Sequence, residues 1–260
     1  MRVLFIGDIV GRPGRQAAVS LIPGLRNELD VDFVIANGEN AAGGVGITPA
    51  IADDLLNKAE IDTLTLGNHT WAKREIYPYL RSETRILRPA NYPPGVPGVG
   101  AAAFETTAGM LGVLVLQGRV FMEPVDDPFR TADLELARIA DGGRAVIIDF
   151  HAEATSEKAA LGAYLDGRVS AVIGTHTHVQ TADERILPGG TAFITDVGMT
   201  GPTGGIIGMQ AEPILSRFLT GLPNRFEVAE GQSILSGALV EIDEATGRAR
   251  SIMRIQRAIA

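Results

Sequence analysis

Residues 2–40, RVLFIGDIVGRPGRQAAVSLIPGLRNELDVDFVIANGEN, contain the pattern that best indicates the fold class. The apolar run Val3–Ile6 predicts a buried strand, and Gly11–Leu29 carries a helical pattern that Pro13 is suited to start. Phe33–Ala36 then predicts a second strand. A strand, a helix and a strand in this order predict two parallel strands whose carboxyl ends lie at the same edge of a sheet.

The same alternation continues along the chain, and hairpins join it from the middle onward. Further elements are predicted at Ala50–Ala59 (helix, capped by Thr48), Thr63–Leu66 (strand), Ala101–Glu105 and Leu111–Leu116 (strands), Asp133–Ile139 (helix), Ala145–Asp149 (strand), Ser156–Leu165 (helix, capped by Ser156), Val169–Ile173 (strand), Gln210–Leu219 (helix), and Leu239–Ile242 and Ser251–Ile255 (hairpin strands). We therefore expect an α/β fold with two packed mixed β-sheets flanked by helices, an α-β-β-α sandwich, rather than one doubly wound sheet. The length of 260 residues fits a single domain over residues 1–260.

The composition of the chain limits its partners and ligands. A net charge of -8 disfavours a protein that binds extended nucleic acid through a broad basic surface. There is no cysteine, so only nitrogen and oxygen atoms are available to bind a metal ion. No apolar stretch approaches the roughly 20 residues that a membrane span needs, and the N-terminus does not read as a signal peptide. We expect a cytoplasmic protein without a membrane segment.

All four histidines lie in or beside short motifs that follow apolar runs. These motifs are Gly67-Asn68-His69, Asp149-Phe150-His151 and Thr175-His176-Thr177-His178. In an extended chain, histidines two residues apart point the same way, as neighbouring imidazole ligands require. Gly7-Asp8 and Gly38-Glu39-Asn40 add carboxylate and amide oxygens at two further strand ends. Taken singly, the aspartate could cap a helix and the asparagines could form turns; taken together, the motifs predict a site for two metal ions.

Other common motifs of nucleotide binding and hydrolysis do not occur in the sequence. The glycine-rich residues Gly7–Gly14 lack the G-x-G-x-x-G spacing, and neither a P-loop motif nor G-x-S-x-G is present. A dinucleotide-binding fold, a P-loop protein and a serine hydrolase are therefore disfavoured. Arg12, Arg15 and Arg119 are candidate phosphate contacts, although an arginine is more often a solvated surface residue.

The order and spacing of the motifs resemble a known family over nearly the whole chain. The sequence resembles the calcineurin-like metallophosphoesterases in five motifs, which are Asp8, Gly38-Glu39-Asn40, Gly67-Asn68-His69, His151 and Thr175-His176-Thr177-His178. Residues 7–11, 37–40 and 67–71 are similar to the YmdB-like branch of that family, bacterial phosphodiesterases that act on cyclic nucleotides. The resemblance implies the calcineurin-like metallophosphoesterase fold.

The resemblance also implies how the site is built. It would hold two metal ions per subunit, iron or manganese, bridged by Glu39. The first ion would be bound by Glu39, Asn68, His151 and His176, and the second by Asp8, Glu39, Asn40 and His178. A metal-bridging hydroxide would attack the phosphorus atom, and His69 would be the general acid that protonates the leaving oxygen.

Two positions depart from the wider family. Val10 stands where the first motif usually has a histidine, and we expect Asn40 to replace that nitrogen ligand with oxygen. Thr70 stands where an acid commonly follows the Asn-His pair, so the residue that orients His69 is left open.

The resemblance implies a metal-dependent phosphodiesterase that hydrolyses small phosphodiesters, cyclic nucleotides in particular (2',3'-cyclic or 3',5'-cyclic). A phosphomonoesterase is the nearest alternative, because the same ions can open either ester. A second alternative is a regulatory protein that binds RNA or a protein partner and has a mainly structural metal site. The acidic charge and 5% aromatic residues disfavour RNA binding. We also expect a homo-oligomer, since symmetric homo-oligomers are common.

Overall fold

The computed structural model describes residues 1–139 and 143–259. Within them the elements, in chain order, are β1 (Arg2–Ile6), β2 (Asp8–Ile9), α1 (Gly11–Glu28), β3 (Phe33–Asn37), α2 (Pro49–Lys58), β4 (Thr63–Thr65), α3 (Ile76–Tyr79), β5 (Ile86–Leu87), β6 (Ala101–Thr106), β7 (Gly109–Gln117), α4 (Pro128–Ile139), β8 (Ala145–His151), α5 (Thr155–Tyr164), β9 (Ala171–Thr175), β10 (Arg185–Ile186), β11 (Ala192–Ile194), β12 (Met199–Pro202), α6 (Ala211–Thr220), β13 (Ser233–Ile242) and β14 (Ala249–Ala258). Every predicted element is present, with ends shifted by a few residues. None of the helices in the described ranges is long and apolar enough to cross a membrane.

The first sheet has the order β2-β12-β13-β1-β3-β4-β5, and β14 pairs with β13. Strands β1, β3, β4 and β5 are parallel, as the β-α-β order predicts. Strand β13 is antiparallel to β1 and forms the C-terminal hairpin with β14. Both hairpin strands are longer than predicted, because β13 is a central strand that pairs with β1, β12 and β14 along its length.

The second sheet has the order β10-β11-β9-β8-β7-β6. Strands β7, β8, β9 and β11 are parallel to their neighbours in this order. The hairpin of β6 and β7 closes one edge, and its turn uses Gly109 at φ +115°, a conformation that favours glycine. The carboxyl ends of β7, β8 and β9 therefore lie at one edge of this sheet.

The two sheets pack face to face, and β1 shows how the sequence achieves this. Val3 and Phe5 contact the core between the sheets, whereas Leu4 and Ile6 contact the core under helices α1 and α2. Because both faces of β1 are buried, the strand is apolar throughout rather than alternating. Helices α4 and α5 cover the outer face of the second sheet. The predicted α-β-β-α sandwich is confirmed.

Of the two predicted N-caps, the one for α2 is correct and the one for α5 is wrong. Thr48 caps α2, and its hydroxyl oxygen accepts from the Ile51 N–H at 3.4 Å. Ser156 does not cap α5: the helix begins at Thr155, so Ser156 lies in the first turn, and the capping position is Ala154, without a side-chain hydrogen bond. The backbone oxygen of Ala154 already accepts from the N–H groups of Glu157 and Lys158, both at 3.1 Å, so the first turn of the helix closes before Ser156 can act as a cap.

Candidate metal centre

The predicted site residues follow parallel strands that end at one side of the sandwich. They are Asp8 after β1, Glu39 and Asn40 after β3, Asn68 and His69 after β4, His151 at the end of β8, and His176 and His178 after β9. Parallel strands deliver their carboxyl ends to a common edge. The structure thus brings together residues that lie far apart in the chain, from Asp8 to His178.

Four side chains direct electron-pair donors at one point. The Nε2 atom of His151 lies 2.9 Å from Oδ1 of Asn68, 3.1 Å from Oε1 of Glu39 and 3.1 Å from Nδ1 of His176. Ligands bound about 2.0–2.2 Å from one ion stand about 2.8–3.6 Å apart. The three distances therefore suit neighbouring ligands around a single metal ion, and the four residues are those of the first predicted ligand set.

Two carboxylate oxygens in this site have no hydrogen-bond partner among the described residues. They are Oδ1 of Asp8 and Oε1 of Glu39, and both side chains are fully buried. The Glu39 oxygen lies 3.1 Å from Nε2 of His151 and 3.2 Å from Nδ1 of His69, without a hydrogen bond to either ring. A buried carboxylate oxygen without a donor is unfavourable unless a cation balances it. These residues therefore fit a bound metal ion.

The charges of the cluster favour a cation for the same reason. Burial alone would lower the pKa of His151, but the carboxylates of Glu39, Asp8 and Asp149 together raise it to about 9, so the ring is protonated at pH 7. Burial raises the pKa of Asp8 to about 6. Burial and the charge of His151 lower the pKa of His176 to about 3, which keeps that ring neutral. A metal ion can take the place of the proton on His151.

Each predicted histidine ligand is oriented through the ring nitrogen that points away from the cluster. The three pairs are Nδ1 of His151 with the Thr175 hydroxyl oxygen at 2.9 Å, Nδ1 of His178 with the backbone oxygen of Ile207 at 3.0 Å, and Nε2 of His176 with a Glu153 carboxylate oxygen at 3.2 Å. Partners of this kind fix the tautomer and leave the opposite nitrogen available to a metal.

A buried polar bridge below His151 joins the two sheets. The Thr175 hydroxyl, which accepts from His151, donates to Asp149 at 2.7 Å, and the Asn37 amide donates to the other oxygen of the same carboxylate at 3.2 Å. The amide oxygen of Asn37 in turn accepts from the Glu39 N–H at 3.1 Å. Sequence analysis did not identify this bridge, and the available signal was position, since each member lies within two residues of a predicted ligand.

The segment that carries His176 and His178 is a strained turn, so the extended conformation predicted for it is wrong. Both residues have positive φ, +93° and +67°, which side chains with a Cβ rarely adopt. The His176 N–H donates to Asp8 at 3.0 Å, and the Thr177 N–H donates to Asp196 at 3.0 Å. These buried carboxylates stabilise the turn, which directs the two imidazoles to different parts of the site.

The second predicted ligand set is assembled less completely. Asp8 and Glu39 bring free carboxylate oxygens, but the amide nitrogen of Asn40, rather than its oxygen, faces Nε2 of His178 at 3.2 Å. The Asn40 oxygen instead accepts from Nδ1 of His69 at 2.8 Å. A half-turn of this amide would exchange the two atoms, so a second ion in this set requires Asn40 to rotate.

His69 lies at the rim of the cluster with 35% of its side chain exposed. Its backbone N–H donates to Glu39 at 3.0 Å and its Nδ1 to Asn40 at 2.8 Å, whereas Nε2 has no hydrogen-bond partner in residues 1–139 and 143–259. Asn40 therefore orients His69 where an acid does so in the wider family. Thr70, which stands in place of that acid, donates to the backbone oxygen of Gly67 at 2.6 Å.

A cavity of about 350 Å³ adjoins the cluster, and its lining is Asn68, Phe121, Met122, Glu123 and His176. None of the candidate phosphate-binding arginines lines it. Arg12 and Arg15 line a separate cavity of about 740 Å³ beside α1. Arg119 pairs with Asp127 at 2.9 Å. The arginines are thus not brought to the cavity beside the cluster.

The whole chain is similar to proteins of one family. The family described as YmdB-like protein matches residues 4–255. A Bacillus subtilis (strain 168) protein named 2',3'-cyclic-nucleotide 2'-phosphodiesterase is 53% identical over 255 residues, which are 98% of this chain and 96% of that protein. Solved structures of a hypothetical protein from Thermus thermophilus and of a novel phosphatase from Mycoplasma pneumoniae are 46% and 32% identical, each with a TM-score of 0.93. Both alignments cover 99% of this chain, and they cover 99% and 93% of the two solved chains. The chain belongs to the YmdB-like protein family and has the calcineurin-like metallophosphoesterase fold.

Proposed function

We propose that this protein is a metal-dependent phosphodiesterase that hydrolyses small cyclic phosphodiesters, nucleoside 2',3'-cyclic phosphates in particular. The observation that carries the proposal is the buried cluster of Glu39, His151 and His176, in which Oε1 of Glu39 lies 3.1 Å from Nε2 of His151 and has no hydrogen-bond partner among the described residues. Oδ1 of Asp8, 3.9 Å from Nδ1 of His151, is a second buried carboxylate oxygen without such a partner. The name of the Bacillus subtilis relative supports the class of substrate.

The ligand sets that we propose are the two predicted from the sequence. Glu39, Asn68, His151 and His176 would hold one ion, and Asp8, Glu39, Asn40 and His178 would hold the other. Imidazole, carboxylate and amide ligands suit iron and manganese. When bound, the ions supply the charge that polarises a phosphoryl group and the acidity that makes water nucleophilic at neutral pH.

His69 is the proposed general acid. Asn40 contacts Nδ1 at 2.8 Å and so fixes the ring. The half-turn of Asn40 that the second ion requires would turn its amide N–H towards Nδ1, which would then accept, so that Nε2 carries the proton donated to the leaving oxygen of the substrate. A ribose hydroxyl is a poor leaving group, so this proton is needed as the ester bond breaks. General acid catalysis of this kind contributes roughly 10²–10⁴ in rate.

The test compares wild-type protein with His69→Ala after metal removal and reloading with manganese or iron. We expect the variant to retain the wild-type metal content, measured by mass spectrometry, and to lose about 10²–10⁴ in kcat on adenosine 2',3'-cyclic phosphate. Full activity of the variant would overturn the role of His69. Absence of turnover by loaded wild-type protein would overturn the phosphodiesterase itself.

A phosphomonoesterase is the second candidate, because the Mycoplasma pneumoniae structure is that of a phosphatase. The rates on a chromogenic diester and on its monoester separate the two. A regulator with a mainly structural metal site predicts no turnover of either ester, with loss of folding when Asp8→Ala removes a ligand.

A cytoplasmic location and a homo-oligomeric state complete the proposal. An apolar surface on and after α6 supports self-association, and its exposed residues are Leu215, Phe218, Leu219 and Leu222. Light scattering after gel filtration measures the oligomer, and cell fractionation measures the location.

A further inference from the structure

Phe121 is an aromatic side chain that the fold holds in solvent beside the metal centre. It is 90% exposed, and its backbone has φ +61°, the left-handed region that residues with a Cβ seldom adopt. Exposure forgoes the stabilisation that burial of a phenyl ring would provide. Both features are unfavourable for folding. Such features are common at ligand-binding sites, which suggests that Phe121 contacts a ligand.

The exposure does not come from a loosely attached loop. The Gly118 N–H donates to the backbone oxygen of His151 at 3.0 Å, which ties the loop to the end of β8. The N–H groups of Arg119 and Val120 donate to the buried carboxylate of Glu157 at 3.0 Å and 3.1 Å. Three consecutive residues before Phe121 are thus fixed by hydrogen bonds, and the ring is presented at a set place.

The place is the wall of the 350 Å³ cavity beside the cluster. Phe121 lines this cavity together with Asn68 and His176, which belong to the first proposed ligand set. A phosphodiester bound at the cluster therefore lies next to Phe121. The part of a cyclic nucleotide that extends from the phosphate and ribose is its base, a flat aromatic ring.

We infer that Phe121 is the stacking platform for the nucleobase of the substrate, and this inference rests on the proposed function. Aromatic side chains stack on any base, because every base has a π face, and such stacking is worth roughly one order of magnitude in affinity. The platform therefore selects nucleoside cyclic phosphates over cyclic phosphates without a base, and it discriminates little among the four bases.

The experiment measures selectivity for a base. Manganese-loaded wild-type protein and variants are assayed on adenosine 2',3'-cyclic phosphate and on glycerol 1,2-cyclic phosphate, which has the same five-membered ring but no base. We expect Phe121→Ala to lower the ratio of the two kcat/KM values about tenfold, mainly through KM, and Phe121→Trp to restore it. Alanine and tryptophan have the same backbone restriction as phenylalanine, so both variants should fold.

Leu134→Ala is the control, because Leu134 is 67% exposed on α4, does not line this cavity and lies outside the apolar surface of α6. We expect it to leave the ratio unchanged. Calorimetric titration with adenosine 3'-monophosphate and with glycerol phosphate gives a readout independent of turnover, and the affinity for the adenosine compound should fall about tenfold in Phe121→Ala.

Two results would overturn the inference. They are an unchanged ratio in Phe121→Ala and an equal loss on both substrates, since neither is expected when the ring contacts a base. Failure of wild-type protein to open either ring overturns the proposed function instead, and the calorimetric comparison then decides whether Phe121 binds a base.

Discussion

At residue 67 the backbone lies so close to His151, a proposed metal ligand, that there is no room for a side chain. A Cβ on Gly67 would lie 2.2 Å from Cδ2 and 2.4 Å from Nε2 of His151, closer than any real Cβ contact. The backbone oxygen of Gly67 also accepts from Tyr92 at 2.9 Å, so residue 67 has little freedom to retreat. The imidazole of His151 fits only because residue 67 has no side chain.

Gly67→Ala should therefore displace the imidazole of His151 and weaken metal binding. We expect the affinity for manganese to fall about tenfold or more, as when the support of a ligating histidine is lost. Titration calorimetry on metal-free protein measures this change. Gly24→Ala is the control: Gly24 lies inside α1 with open space around it, so the variant should keep the affinity and be about 0.5–1 kcal/mol more stable. Wild-type affinity in Gly67→Ala would contradict the prediction.

The raised pKa of His151 makes metal binding depend on pH. In metal-free protein this pKa is about 9, so below pH 9 an ion must displace the proton, because only the neutral ring binds a metal. We expect the manganese affinity to rise with pH up to about 9, with about one proton released per ion at about pH 7.5. Calorimetry in buffers of different ionisation enthalpy counts that proton, and a count near zero would be inconsistent with the pKa.

At the scale of elements, helix α5 supports the turn after β9. Lys158 on α5 is fully buried, and its ammonium group donates to Asp196 at 2.8 Å and to the Thr177 hydroxyl at 3.3 Å. Asp196 also accepts from the N–H of Thr177, between the two histidines. The strained backbone at His176 and His178 therefore depends on a charge pair from a neighbouring helix.

Lys158→Met should leave Asp196 buried without its counter-charge. We expect the free energy of unfolding of metal-free protein to fall by about 3–5 kcal/mol, the usual cost of breaking a buried pair. Urea unfolding measures this change. Lys58→Met removes the exposed partner of Asp54, a pair 2.7 Å apart on α2, and should cost less than about 1 kcal/mol. Equal effects of the two substitutions would refute the supporting role of Lys158.

At the scale of the whole molecule, the sheets share both a core and the site. The core between them contains Phe5 and Ile35 from the first sheet and Val115 and Ile147 from the second. The Asn37–Asp149 hydrogen bond crosses the same interface beside the candidate metal centre. Neither sheet can keep its inner face buried without the other.

We therefore expect the chain to unfold as one domain, which stays a prediction from its length. Calorimetry of metal-free protein should give a single transition with equal calorimetric and van't Hoff enthalpies, and manganese should raise its midpoint, because binding to the native state stabilises it. Two separable transitions, or a shift that affects only one of them, would argue for two independent units.

The strands and the ligand motifs could be predicted because their signals are local. Val3–Ile6 is apolar and is followed by Gly7-Asp8, so a buried strand and a strand-end carboxylate can be recognised from neighbouring letters. The supports of the site could not be predicted in this way. Asp149 and Lys158 act through hydrogen bonds to Thr175, Thr177 and Asp196, and such partners are set by packing.

The order of elements, the sandwich of two sheets and the residue types available to a metal can all be predicted from the amino-acid sequence. Each follows from periodicity and from side-chain chemistry, which are properties of short segments. The packing of the two sheets is needed to know which donor atoms meet, that the turn with His176 and His178 is strained, that Asn40 orients His69, and that Phe121 lies beside the cluster. These features depend on where two sheets place their ends relative to each other, and that arrangement arises from burial of a shared core between residues far apart in the chain.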